Sequence, residues 1–310
     1  MATVYLWLII GFVLLVKGAD IFVEGSSSAA KLLRVPGVII GMTVVAFGTS
    51  APELAVSITA ALTSNNGIAL GNVIGSNMFN LLMVIGLSSI VAEIPADRKA
   101  MNGDFFYSIV VSVVALALIA FDRQIGRVDS VILLALFGYF IYRIFRSAAK
   151  ERKAATEEKR ALSPILSAVY IAGGLAAVVA GSSMVVKSAS AIAEAFGFSE
   201  NLIGLTVVAL GTSLPELVTS MVAAGKGENG LALGNVIGSN IFNILLILGI
   251  SSLLSPIPVT VSTVYDMICL ILVSCLCWAM GRRRMRYTRA HGWILVALYA
   301  VYMVYVVVRS

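Results

Sequence analysis

An internal repeat constrains the fold of this chain more than any other feature of the sequence. When the sequence is shifted by 163 residues, positions 41–90 align with positions 204–253 without a gap, and 31 of the 50 aligned residues are identical. The shared segments are GMTVVAFGTSAPEL with GLTVVALGTSLPEL, and ALGNVIGSNMFN with ALGNVIGSNIFN. The chain therefore contains two similar halves, and a symmetric arrangement of these halves is expected.

Both halves consist of apolar runs that are long enough to cross a bilayer. Of all residues, 59% are hydrophobic and 12% are charged, whereas about a quarter of a soluble domain is charged. The runs are near the ~20 residues of a transmembrane helix and are uniformly apolar, unlike the short alternating strands of a β-barrel. The sequence therefore predicts an all-α polytopic protein embedded in the lipid bilayer. Ten spans are predicted, at about 3–30, 36–62, 68–92, 104–121, 127–146, 163–193, 200–225, 231–254, 262–280 and 292–308.

The distribution of basic residues predicts which loops face the cytoplasm. The first apolar run has no Lys or Arg before it, so we interpret it as a span and not as a cleaved signal peptide. With ten spans, 17 Lys and Arg residues lie in loops on one side and three on the other, and the basic side is the cytoplasmic one. We expect both termini outside the cell and the connector 147–162 inside, in a protein of the cell membrane. Because the charges lie in membrane loops, the net charge of +6 does not indicate a nucleic-acid partner.

The odd number of spans in each half predicts that the two halves are inverted. With five spans per half, the second half enters the membrane from the opposite face. The expected division is a first repeat at 1–146, whose most strongly repeated part is at about 36–92, the connector 147–162, and a second repeat at 163–310, whose matching part is at about 200–254. Inverted repeats with interrupted helices are typical of secondary transporters, whose site lies at the repeat interface near the bilayer midplane.

A proline in each repeat predicts that the second and seventh spans are discontinuous. Pro52 and Pro215 lie in the motifs GTSAPE and GTSLPE, and proline removes a backbone donor and kinks a helix. We expect these breaks to free carbonyls around Ala46 and Thr49, and around Ala209 and Thr212. Free carbonyls at membrane depth need a partner, and a cation is a suitable one.

Oxygen-bearing side chains cluster around these breaks and in the following span of each repeat. Two glutamates at symmetric positions supply a charge of −2, although one charge at the bilayer centre costs about 2.5–3.5 kcal/mol. The set contains no His or Cys, so it suits Ca²⁺, Na⁺ or Mg²⁺ better than zinc or copper. The predicted cation ligands are Glu53, Glu216, Thr49, Thr212, Ser50, Ser213, Asn80, Asn243, Ser76, Ser239, Ala46 and Ala209.

At these residues the sequence resembles the cation/Ca²⁺ exchanger superfamily, most closely its prokaryotic Na⁺/Ca²⁺ exchangers. The motifs GTSAPE with GNVIGSNMFN, and GTSLPE with GNVIGSNIFN, are similar to the two α-repeats of that family. The resemblance implies alternating access by sliding of the first and sixth helices across the other eight. It implies cation binding at the ligands named above. It also implies that the Na⁺ ions of one cycle carry more charge than the Ca²⁺ they replace.

Two asparagines bear on which member of the superfamily this chain resembles. Asn80 and Asn243 are neutral where K⁺-dependent relatives carry Asp, and H⁺/Ca²⁺ exchangers typically have an acid in these helices. These neutral amides favour a K⁺-independent Na⁺/Ca²⁺ antiporter, which the resemblance implies is electrogenic. We expect it to function as a monomer, with Ca²⁺ and Na⁺ as substrates and no cofactor. An H⁺/Ca²⁺ antiporter of the same superfamily is the alternative.

Two other classes of protein stay open at this point. A channel would use the same oxygens, but its polar residues should line a continuous pore, whereas these cluster at one depth. An intramembrane enzyme would need a nucleophile and a base or a pair of acids, and the sequence offers no His–Asp pair. We therefore expect a transporter with no catalytic residue.

Overall fold

The chain forms a bundle of long helices joined by short loops. The computed structural model describes residues 2–63, 66–152, 161–197 and 209–309. In the first half the helices are α1 (Ala2–Leu33), α2 (Gly37–Thr49), α3 (Ala51–Leu62), α4 (Asn66–Phe79, continued by Asn80–Val84 and Ile85–Val91), α5 (Ala100–Phe105, continued by Phe106–Asp122) and α6 (Arg127–Arg152). In the second half they are α7 (Pro164–Ala195), α8 (Ala209–Thr212), α9 (Leu214–Gly225), α10 (Asn229–Leu254), α11 (Val261–Arg284) and α12 (Arg289–Arg309).

The helices confirm an all-α polytopic membrane protein. In the described ranges, eight helices are long and apolar enough to cross a membrane, and α2 with α3 forms a ninth span that is bent by 47°. The remaining predicted span, 200–225, is represented by α8 and α9, because residues 198–208 lie outside the described residues. Several helices extend beyond their apolar runs; α6, for example, continues from the predicted end at 146 to Arg152. Long basic side chains allow this, since their charged ends reach water while their stems stay on the helix.

Two pairs of very short strands show how the halves are oriented. Strands β1 (Ile94–Pro95) and β4 (Arg286–Tyr287) pair antiparallel, and so do β2 (Gln124–Ile125) and β3 (Ile257–Pro258). The repeat shift of 163 residues relates β1 to β3, and it places β2 within one residue of β4. Each pair therefore joins the loop after the third span of one half to the loop after the fourth span of the other. Equivalent loops lie at opposite ends of the bundle, as inverted repeats require.

The centre of the bundle is formed by α4 and α10. Of their most apolar stretches, 78% is buried in α4 and 83% in α10, against 39% or less in the other long spans. The outer helices expose their apolar side chains, as a lipid-facing surface should. The third span of each half therefore lies in the interior of the bundle.

Helices α1 and α7 pack closely against each other in opposite directions. At Gly18 an added Cβ would lie 2.7 Å from the Cβ of Ala177, and at Gly181 it would lie 2.5 Å from the backbone nitrogen of Leu15. Only glycine permits backbones to approach this closely, and such contacts are typical of helix pairs in membranes. These two helices correspond to the first and sixth spans, which the family resemblance singled out as the moving pair.

Candidate functional site

The bend between α2 and α3 lies at the sequence GTSAPE. Ser50 ends α2 with φ −82° and ψ 6°, and Pro52 occupies the first turn of α3. The second repeat has the same geometry, with Ser213 at φ −93° and ψ 6° and Pro215 in the first turn of α9. Proline is favoured in a first turn because its missing N–H would have no helical partner there. Each glutamate of the motif therefore lies in the first turn of a new helix.

The expectation that the break frees the carbonyl of Ala46 was wrong. This carbonyl accepts a hydrogen bond from the Ser50 backbone nitrogen at 3.0 Å. The donor that Pro52 lacks would reach the carbonyl four residues earlier, which is that of Gly48. The Thr49 hydroxyl also lies 3.4 Å from this oxygen, beyond the usual length of an O–H···O hydrogen bond, so the oxygen can still contribute to an ion site. Its counterpart Ala209 begins the short helix α8.

The two glutamates are buried, and each is bound by a serine of the opposite repeat. Glu53 and Glu216 are both 1% exposed. The Ser213 hydroxyl donates to Glu53 Oε1 at 2.9 Å, and the Ser50 hydroxyl donates to Glu216 Oε1 at 2.9 Å. The two helix breaks therefore meet, and the carboxylates are arranged with the two-fold relation expected from the repeats.

Other ligands predicted from the sequence join this cluster. Ser76 Oγ lies 3.1 Å from Ser213 Oγ, so α4 contacts the break of the second repeat. Thr49 Oγ1 lies 3.0 Å from Asn235 Oδ1 on α10, and it also lies 3.0 Å from the carbonyl of Val45. These contacts cross between the halves and bring side chains more than 130 residues apart in sequence into one buried cluster.

The remaining predicted ligands lie on the same elements. Ser239 is fully buried on α10, one helical turn before Asn243, as Ser76 is one turn before Asn80. Asn80 and Asn243 are each 1% exposed, and each lies in a wider π-helical turn, Asn80–Val84 or Phe242–Ile247. π-turns occur frequently at functional sites. Thr212 ends α8, directly before the second break.

Two asparagines that sequence reasoning missed support the glutamates. Asn72 Nδ2 donates to the carbonyl of Glu53 at 3.2 Å and to Ser57 Oγ at 3.0 Å. In the second repeat, Asn235 Nδ2 donates to the carbonyl of Glu216 at 3.4 Å and, at 2.9 Å, to the matching serine on α9. The signal was present, because both asparagines occur in the repeated segment ALGNVIGSN, and an amide at membrane depth needs a partner.

The cluster leaves buried oxygens that no protein donor satisfies. Within the described part of the chain, the second carboxylate oxygen of each glutamate and the amide oxygens of Asn80 and Asn243 have no hydrogen-bond partner, and neither does Ser239 Oγ. A buried unsatisfied polar atom costs about 1–3 kcal/mol, and more when it is charged. All these atoms are hard oxygen donors, so Ca²⁺ or Na⁺ fits the arrangement well.

The charge around the cluster is negative. Among the described residues, the ion pairs involve other acids, for example Lys226–Asp20 at 2.7 Å and Arg143–Asp104 at 3.4 Å. None of these pairs involves Glu53 or Glu216. Two buried carboxylates without a basic neighbour are neutralised either by protons or by bound cations.

Comparison with known proteins places the chain among cation exchangers. The family described as "Sodium/calcium exchanger protein" matches residues 3–146 and 166–308. The putative antiporter CaxA of Alkalimonas amylolytica is 40% identical over 81% of both chains. The sodium/calcium exchanger MaX1 of Methanosarcina acetivorans is 32% identical over 97% of both chains.

A solved structure also matches nearly the whole chain. The sodium-calcium exchanger NCX_Mj, soaked with Na⁺ and Sr²⁺, superposes with a TM-score of 0.86 at 34% identity, covering 98% of both chains. The family consists of transporters and not of enzymes. This multi-pass membrane protein therefore belongs to the sodium/calcium exchanger family and is a cation/Ca²⁺ exchanger.

Proposed function

We propose that this chain exchanges Na⁺ for Ca²⁺ across the cell membrane by alternating access. The observation that carries the proposal is the crossed pair of buried carboxylates, Glu53 with Ser213 and Glu216 with Ser50, at the meeting point of two helix breaks. Each carboxylate keeps one oxygen without a protein donor. Two such charges balance one Ca²⁺ or two Na⁺, so the two ions compete for the same oxygens and one set leaves before the other enters.

The proposed ligands divide by what each can supply. Glu53 and Glu216 supply the charge and bind both ions. The other side-chain oxygens and the two carbonyls complete the coordination shell without further charge. These are Thr49, Thr212, Ser50, Ser213, Asn80, Asn243, Ser76, Ser239, Ala46 and Ala209.

The absence of further charge in this set supports a K⁺-independent cycle. Asn80 and Asn243 are neutral amides, so the predicted ligands supply two negative charges in total. A third cation would have to be held without an additional carboxylate. We also propose that the cycle is electrogenic; this rests on the family resemblance, which implies that Na⁺ carries more charge per cycle than Ca²⁺, and not on the charge of the predicted ligands.

Alternating access would use the closely packed pair α1 and α7, sliding against the helices that hold the site. We propose both termini outside the cell, the connector 147–162 in the cytoplasm, and the repeats 1–146 and 163–310 as the two symmetric halves. The uneven distribution of Lys and Arg among the loops supports this orientation. All ligands come from one chain, which supports function as a monomer.

Calcium flux under different ion gradients tests this proposal. The protein is reconstituted in liposomes, and ⁴⁵Ca²⁺ uptake is measured under an outward gradient of Na⁺, K⁺ or H⁺ in turn. We expect uptake with Na⁺ alone, accelerated when a K⁺–valinomycin clamp provides compensating charge. Uptake driven by H⁺ and not by Na⁺ would replace the proposal with the H⁺/Ca²⁺ alternative. Calcium flux that needs no counter-gradient would indicate a channel.

A further inference from the structure

Four buried asparagines lie where α4 and α10 cross, next to the cation site. Asn77 and Asn80 lie on α4, and their counterparts Asn240 and Asn243 lie on α10; each is 4% exposed or less. Asn80 and Asn243 belong to the predicted cation ligands, whereas Asn77 and Asn240 do not. A buried primary amide has two donors and one acceptor oxygen to satisfy, so its partners determine which end of the amide faces which neighbour.

Hydrogen bonds join the four amides across the repeat interface. Asn77 Nδ2 donates to the backbone carbonyl of Asn240 at 3.3 Å. Asn243 Nδ2 donates to Asn77 Oδ1 at 2.9 Å, and Asn80 Nδ2 donates to Asn240 Oδ1 at 3.1 Å. Each predicted ligand therefore uses its NH₂ group on an asparagine of the opposite repeat.

The backbone carbonyl of Asn240 fixes the direction of the two hydrogen bonds that Asn77 makes. A backbone carbonyl can only accept, so the NH₂ group of Asn77 must face Asn240 and its oxygen must face Asn243. That oxygen in turn requires the NH₂ group of Asn243, which leaves the Asn243 oxygen on the other side. Both Asn243 Oδ1 and Asn80 Oδ1 are buried without a protein donor. The Asn243 oxygen is therefore the free acceptor at one end, and the Asn80 amide has the matching orientation in its bond to Asn240.

We propose that Asn77 and Asn240 are positioning residues that hold the amides of Asn243 and Asn80 with their oxygens directed to the cation. Without this constraint an amide can rotate and place its NH₂ group, which repels a cation, in the coordination shell. Because both ligands are asparagine and not aspartate, their orientation matters: a carboxylate has two equivalent oxygens, whereas an amide has only one. The inference rests on the proposed function, since it takes Asn80 and Asn243 as ligands.

Equilibrium binding of ⁴⁵Ca²⁺ to the purified full-length protein, in the absence of Na⁺, tests the role of Asn77. Asn77→Leu has a similar volume but no acceptor, and we expect it to weaken Ca²⁺ binding by about 10- to 100-fold, the usual effect of losing a group that orients a metal ligand. Met78→Leu at the neighbouring buried position serves as the packing control and should stay within about 2-fold of wild type.

A double-mutant cycle separates positioning from general packing. Asn243→Ala removes the oxygen that Asn77 is proposed to orient, so Asn77→Leu should weaken binding little further in that background. Additive effects would overturn the proposal. If Asn77→Leu does not fold, Asn240→Leu with Asn80→Ala forms the equivalent cycle in the other repeat.

The binding measurement also distinguishes this inference from the proposed function. It requires no coupling ion, so an exchanger driven by H⁺ would still show the non-additive cycle. Wild-type protein that binds no Ca²⁺ would reject the proposed calcium site together with the positioning role. Wild-type protein that binds Ca²⁺, with additive variants, would reject the positioning role alone.

Discussion

The two repeats are alike at the cation site and differ at the ends of the helices around it. At the site, Ser50 with Glu216 and Ser213 with Glu53 make the same bond at the same distance. At the helix ends, Lys226 after α9 pairs with Asp20 on α1 at 2.7 Å. The positions related to these two by the repeat shift are Thr63 and Ser183, which carry no charge.

This difference shows which part of the duplicated sequence had to stay symmetric. Alternating access presents the same site to both faces, so ligands contributed by both halves suit both conformations. Contacts at the helix ends face only one side of the membrane, and nothing requires them to match. The Lys226–Asp20 pair lies on the predicted cytoplasmic side, where Lys31 of α1 also pairs with Glu228 of the same turn at 3.9 Å.

Replacing either glutamate should have the largest effect on transport, and it tests whether the two halves are equivalent. We expect Glu53→Gln and Glu216→Gln each to reduce Na⁺-driven ⁴⁵Ca²⁺ uptake by about 100-fold or more, because loss of one partner of a buried charge pair costs about 3–5 kcal/mol. Asp104→Asn, which removes a carboxylate paired with Arg143 at a distance from the site, should retain uptake. Near-normal uptake in both glutamine variants would contradict the site, and normal uptake in one would break its symmetry.

Removing the serine hydroxyls tests whether the halves are joined by crossed bonds. Ser50→Ala and Ser213→Ala should each raise the Ca²⁺ concentration for half-maximal uptake by about 10-fold, since a hydrogen bond to a charged group contributes about 1.5–3 kcal/mol. Ser50→Thr and Ser213→Thr keep a hydroxyl and serve as matched controls. Alanine variants that behave like wild type would show that these bonds do not orient the carboxylates.

The asparagines that donate to the glutamate carbonyls should affect stability in both halves. Asn72→Leu and Asn235→Leu each leave the backbone carbonyl of a glutamate and a serine hydroxyl without their donor. We expect each to lower the free energy of unfolding by about 1–2 kcal/mol, measured by thermal denaturation in detergent. Ser89→Ala, a buried change on α4 that removes only a bond to a carbonyl of its own helix, is the control. A loss confined to one repeat would show that the two supports are not equivalent.

The charged contact at one helix end should give the smallest effect. Lys226→Met removes the ion pair with Asp20. The two side chains are 34% and 45% exposed, so we expect the free energy of unfolding to fall by about 1 kcal/mol or less. The loss should shrink in high salt, because exposed charges are screened. Thr63→Met at the related position should show no such salt dependence. Equal salt dependence in both variants would remove the proposed difference between the two ends.

Much of the fold could be predicted from the sequence because membrane spans obey strong local rules. The apolar runs determined the helices, and the prolines determined the breaks before α3 and α9. The positions of the helix ends were less accurate, as at α6, because charged residues can continue a helix into water. The carbonyl of Ala46 was predicted to be free, but the N–H group that Pro52 lacks would have bonded to the carbonyl of Gly48.

The sequence by itself determined the membrane class, the two similar halves and the residue types of the cation site, because hydropathy, proline and a 163-residue repeat are local or periodic signals. Only the tertiary structure decided that Ser50 contacts Glu216 and not Glu53, and that Asn243 donates to Asn77. These partners lie 166 residues apart in each case. No local propensity specifies such pairs; they arise when two inverted halves pack and every buried polar group finds a partner.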